Sequence, residues 1–148
     1  MDEYLRYVSV CGLVVSNDRN RLLVGNRSRD DEFCPGDFVF PSGRAEGNEG
    51  VLDRLYLEIA RETGVAVSQD NSVYLGDCCF EREGFPVTQL CFGVIALPSA
   101  RISPETPELD NLRFVTVREF HDIVPEMLYQ QHLVRFVKTA ERMGLLVQ

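Results

Sequence analysis

The sequence predicts an α/β domain, a mixed β-sheet sandwiched between helices, and three observations carry that expectation. Apolar β-branched runs open the chain, one amphipathic helix interrupts them, and further strands precede a closing helix. No repeat or linker composition divides the 148 residues, so a single domain over residues 1–148 is expected, long enough for a real core. Hydrophobic residues at 45% and charged ones at 26% are ordinary for a folded chain and set disorder aside.

Tyr7 to Val15 is rich in β-branched residues and reads as a strand. Ser16 to Asn20 is turn chemistry, and Arg21 to Gly25 pairs back as a hairpin. The polar, proline-broken stretch from Arg27 to Pro35 reads as a loop. Phe38 to Phe40 is a short strand that stops at Pro41-Ser42-Gly43. Val51 to Thr63 is the clearest helix, with Leu52, Leu55, Tyr56 and Ile59 in one apolar stripe and Gly64 ending it. Val73 to Phe80 and Thr88 to Leu97 are expected strands around a turn marked by Gly84 and Pro86. Pro98 to Asp110, with three prolines and three acids, reads as a long functional loop. Leu112 to Val117 is a last strand and Arg118 to Val124 a short helix. Pro125 interrupts, and Glu126 to Met143 forms a terminal helix.

The formal net charge of −8 argues against a groove tracking the phosphates of a nucleic-acid polymer. A small anionic ligand is still compatible where a metal ion or a few arginines reverse the local field. Lys138 is the only lysine, and the arginines supply forks suited to phosphate. The five cysteines are odd in number and show no Cys-x-x-Cys spacing. Reduced, mostly buried thiols in a cytoplasm are therefore expected rather than a zinc site or disulfide framework. The opening residues lack a charged-then-apolar leader, and no apolar run approaches membrane-spanning length, so no membrane association is expected.

Chemistry concentrates between Gly43 and Val65. Glu49 precedes the helix, and Glu58 and Glu62 lie four apart on it. Residues at that spacing share a face, with Cβ atoms about 5–6 Å apart. Two such carboxylates are, alone, more often a solvated face than a metal site. Beside a glycine turn, whose bare carbonyl can also point inward, they offer oxygen ligands suited to Mg²⁺ or Mn²⁺.

This stretch resembles the box of the Nudix hydrolases, in which glycine, glutamates, an arginine and aliphatic residues recur at fixed spacing. Without gaps the box falls on Gly43, Glu49, Leu57, Glu58, Ile59, Arg61, Glu62, Gly64 and Val65, and seven of those nine positions match. Leu57 stands where arginine is expected and Arg61 where the middle glutamate is expected. Gly36 to Pro41 is similar to the strand that leads into the box, and Leu22 to Arg27 to a second strand ending in arginine. Arg113 to Val115 with Glu119-Phe120 is similar to the closing strand and short helix.

The resemblance implies the Nudix fold and a metal held by Gly43, Glu58 and Glu62, with Mg²⁺ or Mn²⁺ as cofactor. It also implies catalytic roles for Glu58, Glu62 and Arg44, and substrate contacts from Arg27, Arg44 and Arg61. Arg61 beside the acids opposes a full set of several metals, since charges about 4 Å apart interact by roughly 4 kcal/mol at an effective dielectric near 20. It reads equally as a phosphate clamp or as an exposed arginine paired with Glu58 or Glu62. Arg54, four residues before Glu58, is available for the orienting role that Leu57 lacks, or for a surface pair. Arg44 and the Leu23-x-Gly25-x-Arg27 strand end are also similar to the GDP-mannose hydrolase branch, although no histidine stands in the loop before the last strand. Glu105, Glu108, Asp110 and Glu58 remain open as the general base.

The implied activity is hydrolysis of a nucleoside diphosphate linked to another moiety: a nucleotide sugar, a dinucleotide or a nucleoside triphosphate. The alternative is a catalytically impaired domain that binds such a nucleotide in a regulatory role. The expected partner is a small-molecule nucleotide, and a homodimer stays open because dimers are common in the superfamily.

Overall fold

The computed structural model describes residues 7–147, so the part of the leader reading that concerns residues 1–6 lies outside the described residues. Strands β1 (Tyr7–Val15), β2 (Arg21–Arg27), β3 (Phe38–Val39) and β4 (Ser42–Arg44) precede helix α1 (Val51–Thr63). Strands β5 (Val67–Arg82), β6 (Phe85–Ala96) and β7 (Leu109–Thr116) follow, then helices α2 (Val117–Ile123) and α3 (Gln130–Arg142).

All seven strands form one mixed sheet, ordered β3-β2-β1-β6-β5, with β7 added beside β2 and β4 beside β1. β1 and β6 pair in parallel from Tyr7–Val87 to Val15–Ile95, while the other pairs are antiparallel. β1 touches β2 in register only at Val15–Leu22, the base of their hairpin. The freed edge of β1 is taken by β4, through Ser9–Arg44, Val10–Gly43 and Cys11–Ser42.

Alternation along β1 divides the core. Val10 and Val14 face α1 with Leu55 and Ile59. Cys11, Leu13 and Val15 face the opposite layer, where Phe120, Leu133, Phe136 and Val137 of α2 and α3 pack. This is the α/β/α sandwich expected. Gly12 lets α1 sit close, because a Cβ there would meet Leu55 Cδ1 at 3.0 Å.

Several boundaries differ from the expectation. α1 has the bounds its stripe and stop signal give, and Gly64 caps it at φ 70° with its N–H on the Ala60 and Ile59 carbonyls. β4 was not expected, since Pro41-Ser42-Gly43 reads as a breaker, yet β1 supplies an open edge for it. β5 begins six residues before the expected Val73, its polar start at Ser68 to Ser72 carried past a register shift against β6. β6 includes Pro86, whose missing N–H falls beyond the first described rung with β1 at Tyr7–Val87. Glu83 and Gly84, at φ 53° and 82°, make the tight turn between these strands. α3 starts at Gln130 rather than Glu126, after Leu128 at φ 52° breaks the helical path.

Cys11, Cys78 and Cys91 are buried, Cys34 is intermediate and Cys79 exposed, and all five are free. Among the described residues no helix is long and apolar enough to cross a membrane.

Candidate functional site

α1 buries two acids along with its apolar stripe. Glu58 and Glu62 are only 3% and 4% exposed, beside Leu55 and Ile59. The solvated-face reading of these glutamates therefore fails, and buried carboxylates need partners. Glu58 has two. Arg54 Nη1 donates to its Oε1 at 3.0 Å, and Arg61 Nη2 donates to its Oε2 at 2.6 Å. Arg54 also grips Glu49 with both forks, at 2.8 and 2.9 Å, and is mostly covered. Arg54 thus ties the first box glutamate to the helix and orients Glu58, which the exposed Leu57 does not do.

Glu62 Oε2 accepts from the Ser42 N–H at 3.3 Å. Burial pushes its carboxyl up to about 9, reinforced by a hydrogen bond with Glu58 and the negative charges of Glu58 and Glu108. In the metal-free protein burial thus favours the protonated form of Glu62.

Gly43 sits in β4 directly over Glu58. A Cβ added there would stand 2.3 Å from Glu58 Cγ, so only glycine lets strand and carboxylate meet. Its carbonyl accepts the Ser9 hydroxyl at 3.2 Å.

The loop before β7 brings in a third acid. Ser103 N–H donates to the Thr63 carbonyl at 2.8 Å and Glu105 N–H to the Arg61 carbonyl at 2.9 Å, strapping the loop across the last turn of α1. Glu108 follows, and its Oε1 lies 3.5 Å from Arg61 Nη2. One oxygen from each of Glu58, Glu62 and Glu108 lies within 4.8 Å of the others. An all-oxygen donor set of this kind fits a hard divalent cation. Arg61 is the opposing feature, because it occupies Glu58 Oε2; its side chain is 42% exposed and so has solvent to swing into.

Glu62 and Glu108 open into a cleft of about 640 Å³, also lined by Gly43, Arg27 and Arg44. The Arg44 guanidinium lies 3.6 Å from the centre of the Tyr7 ring. Arg27 stands 5.1 Å over the Phe33 ring and 3.5 Å from Asp31 Oδ2. Arg61 is not among the lining residues; it pairs with Glu58 and Glu108 instead. Of the three loop acids only Glu108 reaches cleft and cluster, since Glu105 and Asp110 are exposed outside the lining. His121 pairs with Glu141 at 3.0 Å, and His132 lies on α3 away from the cleft.

A polar chain that sequence reasoning missed backs this floor. The Tyr129 hydroxyl donates to Gln89 Oε1, Gln89 Nε2 donates to Ser9 Oγ at 3.1 Å, and Ser9 donates to Gly43. The available signal was Gln89 itself, a polar residue at an inward position of β6 between Val87 and Cys91.

Comparison with curated proteins gives no significant match. Solved structures are similar over nearly the whole chain. The MutT protein of Methanosarcina mazei Go1 superposes with a TM-score of 0.71 at 17% identity, covering 94% of this chain and 95% of that one. The MutT NUDIX hydrolase of Burkholderia pseudomallei gives 0.67 at 18% identity, covering 89% and 96%. The NUDIX domain of Shewanella oneidensis NrtR, complexed with ADP ribose, gives 0.70 at 12% identity, covering 94% and 89%. These likenesses establish the shared fold. A family model described as the NUDIX domain matches residues 5–135, and the chain belongs to that family.

Proposed function

We propose that this chain is a divalent-cation-dependent hydrolase that cleaves the diphosphate of a nucleoside diphosphate linked to another moiety. The observation that carries the reading is the convergence of Glu58, Glu62 and Glu108, of which Glu62 and Glu108 line a cleft that also presents Arg27 and Arg44 while Glu58 lies behind them. Glu58, Glu62 and the Gly43 carbonyl would hold Mg²⁺ or Mn²⁺, with Glu108 in reach. The cation, when bound, neutralises phosphate charge and lowers the pKa of an attacking water.

The chain's own groups supply the rest. Arg44, steadied by the Tyr7 ring, donates to phosphate oxygens as charge develops on them. Arg27 does the same once its contact with Asp31 opens. Glu108 takes the proton of the water, being the loop acid that faces the cleft. Arg61, 42% exposed, would yield Glu58 Oε2 to a bound cation and keep its pairing with Glu108 or with a ligand oxygen. Arg44 and Arg27 also support the GDP-mannose-hydrolase-like variant of this reading.

A second reading is favoured by one observation, the Arg61 guanidinium on Glu58, which neutralises a ligand oxygen without any metal. In that reading the cleft binds a nucleotide in a regulatory role without turnover. The NrtR domain, solved with ADP ribose, is similar in fold.

Turnover of nucleotide sugars, dinucleotides and nucleoside triphosphates with Mg²⁺ or Mn²⁺ tests the proposal. Cation-dependent release of a nucleoside monophosphate or diphosphate is expected, abolished by a chelator. Tight nucleotide binding with no product under either cation selects the regulatory reading.

A further inference from the structure

The polar chain behind Gly43 has a fixed direction, and that direction has a consequence for ligand choice. A carbonyl only accepts, so the single Ser9 hydroxyl proton goes to Gly43. Ser9 Oγ is then an acceptor toward Gln89, which places the amide nitrogen Nε2 against it at 3.1 Å. The amide oxygen is left to Tyr129, whose phenol donates to it. Turning the amide over would set oxygen against an already committed hydroxyl at Ser9. Gln89 is 3% exposed and held in this one orientation.

Ser9 and Gln89 line the cleft and Tyr129 does not, and the amide end on the Ser9 side is the NH₂ group. That group carries two hydrogens, of which Ser9 takes one. The register places Gln89 in a row with Ser9 and Arg44 across β6, β1 and β4. The next row on the same face, two residues along, is Tyr7, Val87 and Phe80, with the Phe85 ring 5.2 Å from Tyr7. An apolar, aromatic floor about 7 Å along the strands thus borders a row that offers donors.

Resting on the reading of this cleft as a nucleotide site, we infer that Gln89 is a specificity-determining residue that selects an oxo base. A flat base laid on Tyr7, Val87, Phe80 and Phe85 turns one edge to the Gln89 NH₂ group. Guanine presents O6 and N7 there, both acceptors, and uracil, like thymine, presents O4. In place of that carbonyl adenine and cytosine present an amino group, which needs an acceptor, and Gln89 Oε1 is already spent on Tyr129; on this edge adenine keeps N7 alone as an acceptor. The amino bases leave two donors facing each other, and the oxo bases do not.

Calorimetric binding of GDP, UDP, ADP and CDP tests this, with Ca²⁺ as the hard oxygen-liganded cation during titration. The wild-type chain should hold GDP and UDP roughly fivefold to tenfold more tightly than ADP and CDP. Gln89→Leu should erase the difference while diphosphate-level binding of all four persists. Ser9→Ala should shrink it by strengthening ADP and CDP, because the amide is then free to turn, with the Tyr129 oxygen accepting from it; loss of packing alone would not favour the amino bases. Equal binding of all four by the wild type, a preference for ADP or CDP, or a preference that survives Gln89→Leu overturns the inference alone. No binding of any of the four overturns the cleft reading and this inference with it.

Discussion

Arg61 Nη2 lies 2.6 Å from Glu58 Oε2, while Arg54 Nη1 lies 3.0 Å from the other oxygen of the same carboxylate. One buried acid on α1 is therefore held from both sides by cations of its own helix. The two are not equivalent. Arg54 is mostly covered and anchored on Glu49, whereas Arg61 is 42% exposed and approaches the face from solvent.

From that asymmetry, Arg61→Glu should raise Mg²⁺ affinity, by roughly tenfold, since it removes a competing charge and adds a carboxylate to the cluster. Titration calorimetry of both forms reads it directly. Equal affinities would show that Arg61 already leaves Glu58 at no cost when the ion binds.

Glu62 gives a pH prediction. The folded, metal-free protein keeps its proton up to about 9, whereas the unfolded carboxyl loses it near 4.5. Between those values the folded state holds the extra proton, so this group's contribution is complete below the unfolded pKa and is lost as pH rises. The loss is at most about 1.4 kcal/mol per pH unit, the limit for one proton. Denaturant midpoints should fall from pH 6 toward pH 9, and Glu62→Gln, which mimics the protonated form, should flatten the slope. Mg²⁺ binding should release a proton at pH 7. The same variant should lower metal affinity and turnover by at least about tenfold with the fold unchanged.

Glu108→Gln should cut turnover by roughly two to four orders of magnitude with nucleotide binding nearly unchanged. Glu105→Gln and Asp110→Asn should do neither, because those side chains lie outside the cleft. Steady-state rates of the three variants decide it, and a large loss in Glu105→Gln or Asp110→Asn would displace Glu108 from the role.

Gly43→Ala should damage both fold and site. The added methyl would fall 2.3 Å from Glu58 Cγ and 3.2 Å from Arg54 Cδ, within a helix–strand contact that has no slack. A loss of about 1–3 kcal/mol in unfolding free energy is expected, with weakened Mg²⁺ binding.

Much of this was legible in the chain, for identifiable reasons. α1 could be bounded because an apolar stripe and a stop at Gly64 agree. The shared face of Glu58 and Glu62 follows from helical spacing alone. Their burial does not, because spacing says which residues share a face and not what covers it; β4 and the Ser103–Glu108 loop do the covering. Arg54 reads as a surface residue until Glu49, just ahead of the helix, folds back onto it. Gln89 and Tyr129 are forty residues apart and belong to no local pattern, so their contact exists only once α3 lies on the sheet.

The loop carrying Glu108 is stitched by main-chain bonds to the carbonyls of Arg61 and Thr63, and a Cβ on Gly64 would strike Ser103 O at 2.0 Å. Glu108 and the acidic helix therefore travel as one piece, and lengthening that loop would pull the three-carboxylate cluster apart. The β5–β6 tip at Arg82 to Phe85 has no such main-chain tether to α1 among the described residues, whereas the segment around Asp30 and Asp31 is joined to that loop by the Ser28 N–H on the Glu108 carbonyl at 3.2 Å. Changes of residue or length at the β5–β6 tip can therefore alter which ligand the cleft admits while the strapped acids stay in place, so ligand selection and the acidic cluster are free to drift independently in this scaffold.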